Sequence, residues 1–112
     1  MLDTKATIFM PEGAALPKVA ATQGYGAGIQ FHGTGVTEAL VAAQEFADRT
    51  GAVLIHPFDH PDIVAGQGTV GLEIMEQVPD VQTIVVPIGG GGLAAGIALL
   101  REQHPHVRIV GV

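Results

Sequence analysis

The stretch Thr83-Ile84-Val85-Val86-Pro87-Ile88 offers almost nothing polar to turn toward water. A strand of that kind is expected to be covered on both faces, as in a parallel sheet with helices on either side. Four glycines, Gly89 to Gly92, follow it directly, and Leu93, Ile97 and Leu100 then repeat at helical spacing. Strand, glycine turn and helix in immediate succession is the unit from which open α/β sheets are built.

The rest of the chain repeats the alternation. Ala6 to Met10 is apolar and β-branched, and Pro11 stops it. Ala14 to Thr22 reads as a short helix, with Pro17 tolerated in the first turn, and Gly24, Gly26 and Gly28 end it. Ile29 to His32 alternates apolar and polar, the pattern of a strand with one open face. Val36, Ala39, Leu40, Ala43 and Ala47 form a helical stripe. Thr34 is the expected cap of that helix, Glu38 suits its positive end, and Gly51 can close it in a left-handed conformation.

Ala52 to His56 reads as a buried strand, ended by Pro57. A third helix is expected to run to about Val78, with Asp59 and Asp62 as candidate caps. Gly66, Gly68 and Gly71 are costly in such a helix, so either the segment is only loosely helical or something approaches its backbone closely, with packing against a neighbouring domain the favoured expectation. Pro105 ends the fourth helix, and Val107 to Val112 reads as a fifth strand. The prediction is one three-layer α/β domain over residues 1–112: a five-stranded parallel sheet with (βα)4β connectivity, flavodoxin-like or Rossmann-like. A strand order of 2-1-3-4-5 would leave the alternating second strand at an edge.

Composition excludes several function classes. The 112 residues fit one domain, and the net charge is −6. Five scattered basic residues and no tryptophan leave neither a basic face nor a stacking platform, so nucleic acid is not an expected partner. With no cysteine, thiolate metal sites and disulfides drop out. No apolar run is long enough to span a bilayer, and Met1 to Lys5 shows no targeting pattern. A cytoplasmic location is therefore expected. Serine catalysis is ruled out because the chain has no serine.

The chemistry concentrates in Pro87-Ile88-Gly89-Gly90-Gly91-Gly92-Leu93. Four glycines remove every side chain from the turn, so backbone N–H groups can converge on one point where the helix start adds positive potential. That makes a phosphate cradle without lysine. The alternative is a merely flexible turn, which four glycines would make entropically costly.

This run resembles the tetraglycine loop of pyridoxal-phosphate enzymes of the second fold type, which include threonine dehydratase, serine racemase and tryptophan synthase β. His56-Pro57-Phe58-Asp59, Ala65-Gly66-Gln67-Gly68-Thr69 and Leu72-Glu73-Ile74 are similar to a segment of threonine dehydratases. Met10-Pro11, Pro17, Lys18 and Gly24-Tyr25-Gly26-Ala27 resemble the small-domain helix before it. Biosynthetic threonine dehydratase, an enzyme of isoleucine biosynthesis, is the nearest fit, over Ala6 to Val112.

The resemblance implies that Gly89, Gly90, Gly91 and Gly92, with the amide of Leu93, hold the cofactor phosphate. It places the small-domain part at about residues 1–60 and the large-domain part at about 61–112. It also implies that the Schiff-base lysine and a Ser-Gly-Asn-His loop lie upstream. The partner of the pyridine nitrogen, the acidic metal ligands of some members and the regulatory domain would lie downstream. Lys5 and Lys18 do not sit in the family's Schiff-base motif. Gly28, Gln30 and Phe31 depart from the more apolar strand expected of the family. No catalytic residue and no metal ligand is assigned.

Weaker signals have simpler readings. Gly66-Gln67-Gly68-Thr69-Val70-Gly71 matches a dinucleotide fingerprint in form, but it does not follow a strand directly. His56 and His60, beside Asp59 and Asp62, straddle a proline and read as a solvated loop rather than a metal site. His104 and His106 flank Pro105 at a helix end, where capping is the better reading.

Three functions stay open at this point. The first is a threonine dehydratase fragment, catalytically inactive alone, that binds pyridoxal phosphate or phosphate weakly. The second is an engineered or excised scaffold with no ligand. The third is a small binder of a nucleotide or flavin phosphate. Glycine-rich helix surface that met another domain would leave apolar patches, which a homodimer could hide, including by exchange of the last helix and strand.

Overall fold

The structure is a computed structural model that describes residues 4–112. The reading of Met1 to Lys5 therefore lies largely outside the described residues. Contacts divide the chain into two compact units, Met1–Ile55 and His56–Val112.

In the first unit, β1 (Thr7–Met10) pairs in parallel with β2 (Gly28–Phe31), Thr7 opposite Gly28 and Met10 opposite Phe31. The crossover between them is α1 (Leu16–Gly24), with Pro17 in its first turn, where a missing N–H costs nothing. Gly26, at φ 80°, turns the chain into β2. The helix α2 (Val36–Thr50) buries Ala39 and Ala47 and ends at Gly51 in the left-handed conformation, as its pattern predicts. Phe9 of β1 meets Phe46 of α2 with ring centroids 5.5 Å apart.

The cap of α2 differs from expectation. The N-cap is Gly35, and Thr34 accepts nothing from the first turn. Instead Glu38 reaches back, and its carboxylate accepts from the amides of Thr34 and Gly35 and from the Thr34 hydroxyl. Glycine has no side chain to complete a capping box, so only the returning half is present.

In the second unit, α3 (Pro61–Gln77) precedes β3 (Thr83–Val86), α4 (Gly92–Ala98), a 3-10 turn (Leu99–Glu102) and β4 (Arg108–Gly111). The strands β3 and β4 are parallel, Thr83 opposite Arg108 and Val86 opposite Gly111. Ile84, Val86, Ile97, Leu100 and Val107 form the core, with Leu93 packed against it. Val86 and Val107 are fully buried. Burying a side chain of this kind contributes about 1.5–3 kcal/mol. His60 caps α3, its Nδ1 accepting from the Asp62 amide at 3.2 Å, so neither Asp59 nor Asp62 is the cap.

The strands are α/β in kind and parallel, but they form two two-stranded sheets. Ala52 to His56, expected to be a buried central strand, is in no ladder, and Val53 and Ile55 are 88% and 72% exposed. Its apolar composition predicted burial, yet nothing among the described residues covers it or supplies the hydrogen-bonding neighbour that a strand requires. β3 is covered on one face only: Ile84 and Val86 are buried while Val85 is 61% exposed. Among the described residues, no helix is long and apolar enough to cross a membrane.

Gly68 and Gly71 allow close helix packing, but the partner lies in the same unit. A Cβ at Gly68 would stand 3.1 Å from the Gly96 carbonyl oxygen, and one at Gly71 would be 2.7 Å from Leu100 Cδ1. Gly66 faces open space. The whole Gly66 to Gly71 run is helical, which removes the strand–turn–helix setting that a dinucleotide fingerprint needs.

Candidate functional site

The tetraglycine run occupies the turn from β3 into α4. It is fixed at both ends. Upstream, the Ile88 amide donates to the Val112 carbonyl at 2.8 Å and the Val112 amide donates to the Val86 carbonyl at 3.0 Å. Downstream, the Ala95 amide donates to the Gly91 carbonyl at 2.8 Å. Leu93 turns its side chain onto the core, which leaves its amide at the first turn of the helix. Among the described residues, the amides of Gly89, Gly90, Gly91, Gly92 and Leu93 donate to no carbonyl or side chain. Gly92 and Leu93 are first-turn donors of α4 and Gly89 to Gly91 lead into it, so these amides need an outside partner, water or an anion.

Glycine is required at three of the four positions, for two different reasons. Gly91 is the N-cap of α4 at φ 91°, a conformation that side chains rarely adopt. A Cβ at Gly90 would enter the ring of Phe58, and one at Gly92 would stand 2.8 Å from the Phe58 carbonyl oxygen. Gly89 has open space around it and no positive φ.

Phe58 is thus a structural part of the loop that sequence reasoning left in a solvated turn. It is half-buried, and it is set there by the turn from His56 to Asp59. His56 Nδ1 accepts from the amides of Phe58 and Asp59, at 3.2 and 2.8 Å. The one available signal was the aromatic residue between Pro57 and Asp59, since a phenylalanine is an odd choice for a turn exposed to water.

The donor set is made of main-chain N–H groups, with no cationic side chain contributed by the loop. It suits a phosphate monoester, whose oxygens can enter where side chains have been removed. The described residues from Gly89 to Leu93 supply no nucleophile and no acid or base.

Comparison with known proteins identifies the family. The family model for pyridoxal-phosphate dependent enzymes matches residues 1–112. The chain is 52% identical to an L-threonine ammonia-lyase of Geobacter sulfurreducens, covering 100% of this chain and 28% of that protein. It is 44% identical to the catabolic L-threonine dehydratase TdcB of Escherichia coli (strain K12), covering 100% of this chain and 34% of that protein. Maize serine racemase superposes with a TM-score of 0.86 at 40% identity, covering 96% of this chain and 33% of that one. The chain therefore spans about a third or less of the length of these relatives. With its full length matched, this chain belongs to the family of pyridoxal-phosphate dependent enzymes.

Proposed function

We propose that this chain carries the cofactor-phosphate loop of a threonine ammonia-lyase and has no lyase activity alone. The observation that supports this most directly is the row of unengaged amides from Gly89 to Leu93, in a turn where Gly90, Gly91 and Gly92 are each required. Gly89, Gly90, Gly91, Gly92 and Leu93 would hold the phosphate through their N–H groups. In the parent reaction L-threonine gives 2-oxobutanoate and ammonia, and bound pyridoxal phosphate supplies the electron sink. This chain's residues anchor and orient the phosphate end. Lys5 and Lys18 lie outside the motif that would engage the cofactor covalently, so turnover is not expected of residues 1–112.

The units Met1–Ile55 and His56–Val112 would correspond to the small-domain and large-domain parts of the parent. A single five-stranded sheet of order 2-1-3-4-5 would need Ala52 to His56 to join as a strand, and slowed amide exchange at Val53 and Ile55 would report it. A biosynthetic role would follow the motif resemblance, and a cytoplasmic setting would accord with it. Dimerisation by exchange of α4 and β4 would appear as a doubled mass in solution.

The test is a thermal melt with and without millimolar phosphate or pyridoxal phosphate. A ligand-dependent rise is expected from linkage, and it should be absent in Gly90→Val. A cooperative melt indifferent to both ligands would overturn the reading and favour a scaffold without ligand.

A further inference from the structure

The glycine loop does not set its own shape. Four glycines in a row have more backbone freedom than any other tetrapeptide, so an ordered loop here needs a wall. Phe58 packs against Gly90 and Gly92, and its amide donates to His56 Nδ1. We propose that His56 and Phe58 are positioning residues for the loop: His56 folds the turn that sets Phe58 against Gly90 and Gly92, holding the loop amides ready for a phosphate dianion. The inference deepens the phosphate reading above and rests on it for its ligand.

The geometry runs in one chain of contacts. His56 Nδ1 gathers two successive amides, those of Phe58 and Asp59, at 3.2 and 2.8 Å. An accepting Nδ1 requires the ring proton to sit on Nε2. One side-chain acceptor serving the amides two and three residues onward is the device by which Asx turns fold a chain. The imidazole then meets the Phe58 ring edge-on, with centroids 4.8 Å apart and planes at 86°. Edge-to-face contact of this kind is attractive and directional. On its other side, Phe58 fills the space that a Cβ on Gly90 would need, and its own Cβ lies 3.1 Å from where a Cβ on Gly92 would stand.

Ring and backbone of Phe58 thus both bear on the loop. A binding loop already held in one arrangement loses less freedom when its ligand arrives, which raises affinity without a new contact. His56 acts on the loop through Phe58.

Nitrogen-15 relaxation at Gly89 to Gly92 tests the brace in the ligand-free chain, with His56→Ala, His56→Asn and Phe58→Leu compared with the parent sequence. Order parameters at the glycines are expected to fall in His56→Ala and Phe58→Leu. They should recover in His56→Asn, because the asparagine oxygen can accept from the same two amides. Titration of the same proteins with inorganic phosphate and with pyridoxal phosphate should show affinity about tenfold weaker in the first two variants and restored in the third.

Unchanged glycine order parameters in His56→Ala and Phe58→Leu would overturn the proposal. So would a folded His56→Asn chain that restores neither order nor affinity, since a turn that merely needs an acceptor would be satisfied. A parent chain that takes up neither ligand overturns the phosphate reading instead, and the brace is then decided by the order parameters alone.

Discussion

Gly96 and Gly68 meet backbone to backbone. A methyl group added at Gly96 would stand 2.5 Å from the Gly68 amide nitrogen and 2.5 Å from the Val64 carbonyl oxygen. Neither atom can swing aside as a side chain could, so α3 and α4 would have to separate. Overpacking of this kind costs about 1–3 kcal/mol, and a backbone neighbour puts Gly96→Ala toward the upper end. Urea denaturation is the measurement. A loss under about 0.5 kcal/mol would show that the two helices are not held together at this crossing.

Gly66 makes the opposite case on the same helix. It is exposed and nothing stands within 4 Å of its added Cβ. Gly66→Ala is therefore expected to stabilise the chain by about 0.5–1 kcal/mol, by removing backbone freedom from the unfolded state. A melting temperature that rises for Gly66→Ala and falls for Gly96→Ala would separate glycines kept for packing from one that packing does not explain.

That contrast also marks what the sequence could and could not disclose. Period and punctuation located the helices, with Pro17 in a first turn that suits its fixed φ and Gly51 at a left-handed cap that glycine tolerates. The tetraglycine turn was legible because four missing side chains leave only main-chain chemistry. Gly66, Gly68 and Gly71 looked alike in the sequence because what separates them is a neighbour distant along the chain: the Gly96 carbonyl for one, Leu100 for another, and open space for the third. Ala52 to His56 misled for a related reason. Apolar composition reports a preference for burial, whereas a strand needs a hydrogen-bonding partner that no local pattern encodes. Phe58 stood in a recognised motif, but its packing against Gly90 was not legible because that contact spans more than thirty residues of sequence.

Glu38 gives a prediction in pH. The Thr34 amide first, and then the Gly35 amide, donate to its carboxylate and hold its pKa below the ordinary glutamate value. A carboxyl depressed on folding contributes stability that is present above its unfolded pKa and is lost as pH falls through the folded one. Glu38→Gln should therefore lower stability at neutral pH and flatten the acid-side decline, with the two proteins converging at low pH. Parallel curves of melting temperature against pH would show that the carboxylate contributes nothing beyond its shape. Added salt should shrink the difference, because the group is exposed.

Within the glycine run, three neighbouring substitutions should fail or succeed for different reasons. Gly89 has room and an ordinary φ, so Gly89→Ala should change stability by less than about 0.5 kcal/mol. Gly91 also has room, but at φ 91° an alanine is strained, and Gly91→Ala should cost about 1–2 kcal/mol without any clash. Gly90→Val puts bulk into the Phe58 ring, so the loop must shift, and the phosphate-dependent rise in melting temperature should vanish with it. The diagnostic comparison is Gly90→Val in a Phe58→Ala background. If collision with the ring is the cause, removing the ring recovers part of the lost stability. Additive losses in the double variant would mean that the valine disturbs the loop through its own backbone, and that Phe58 is a bystander.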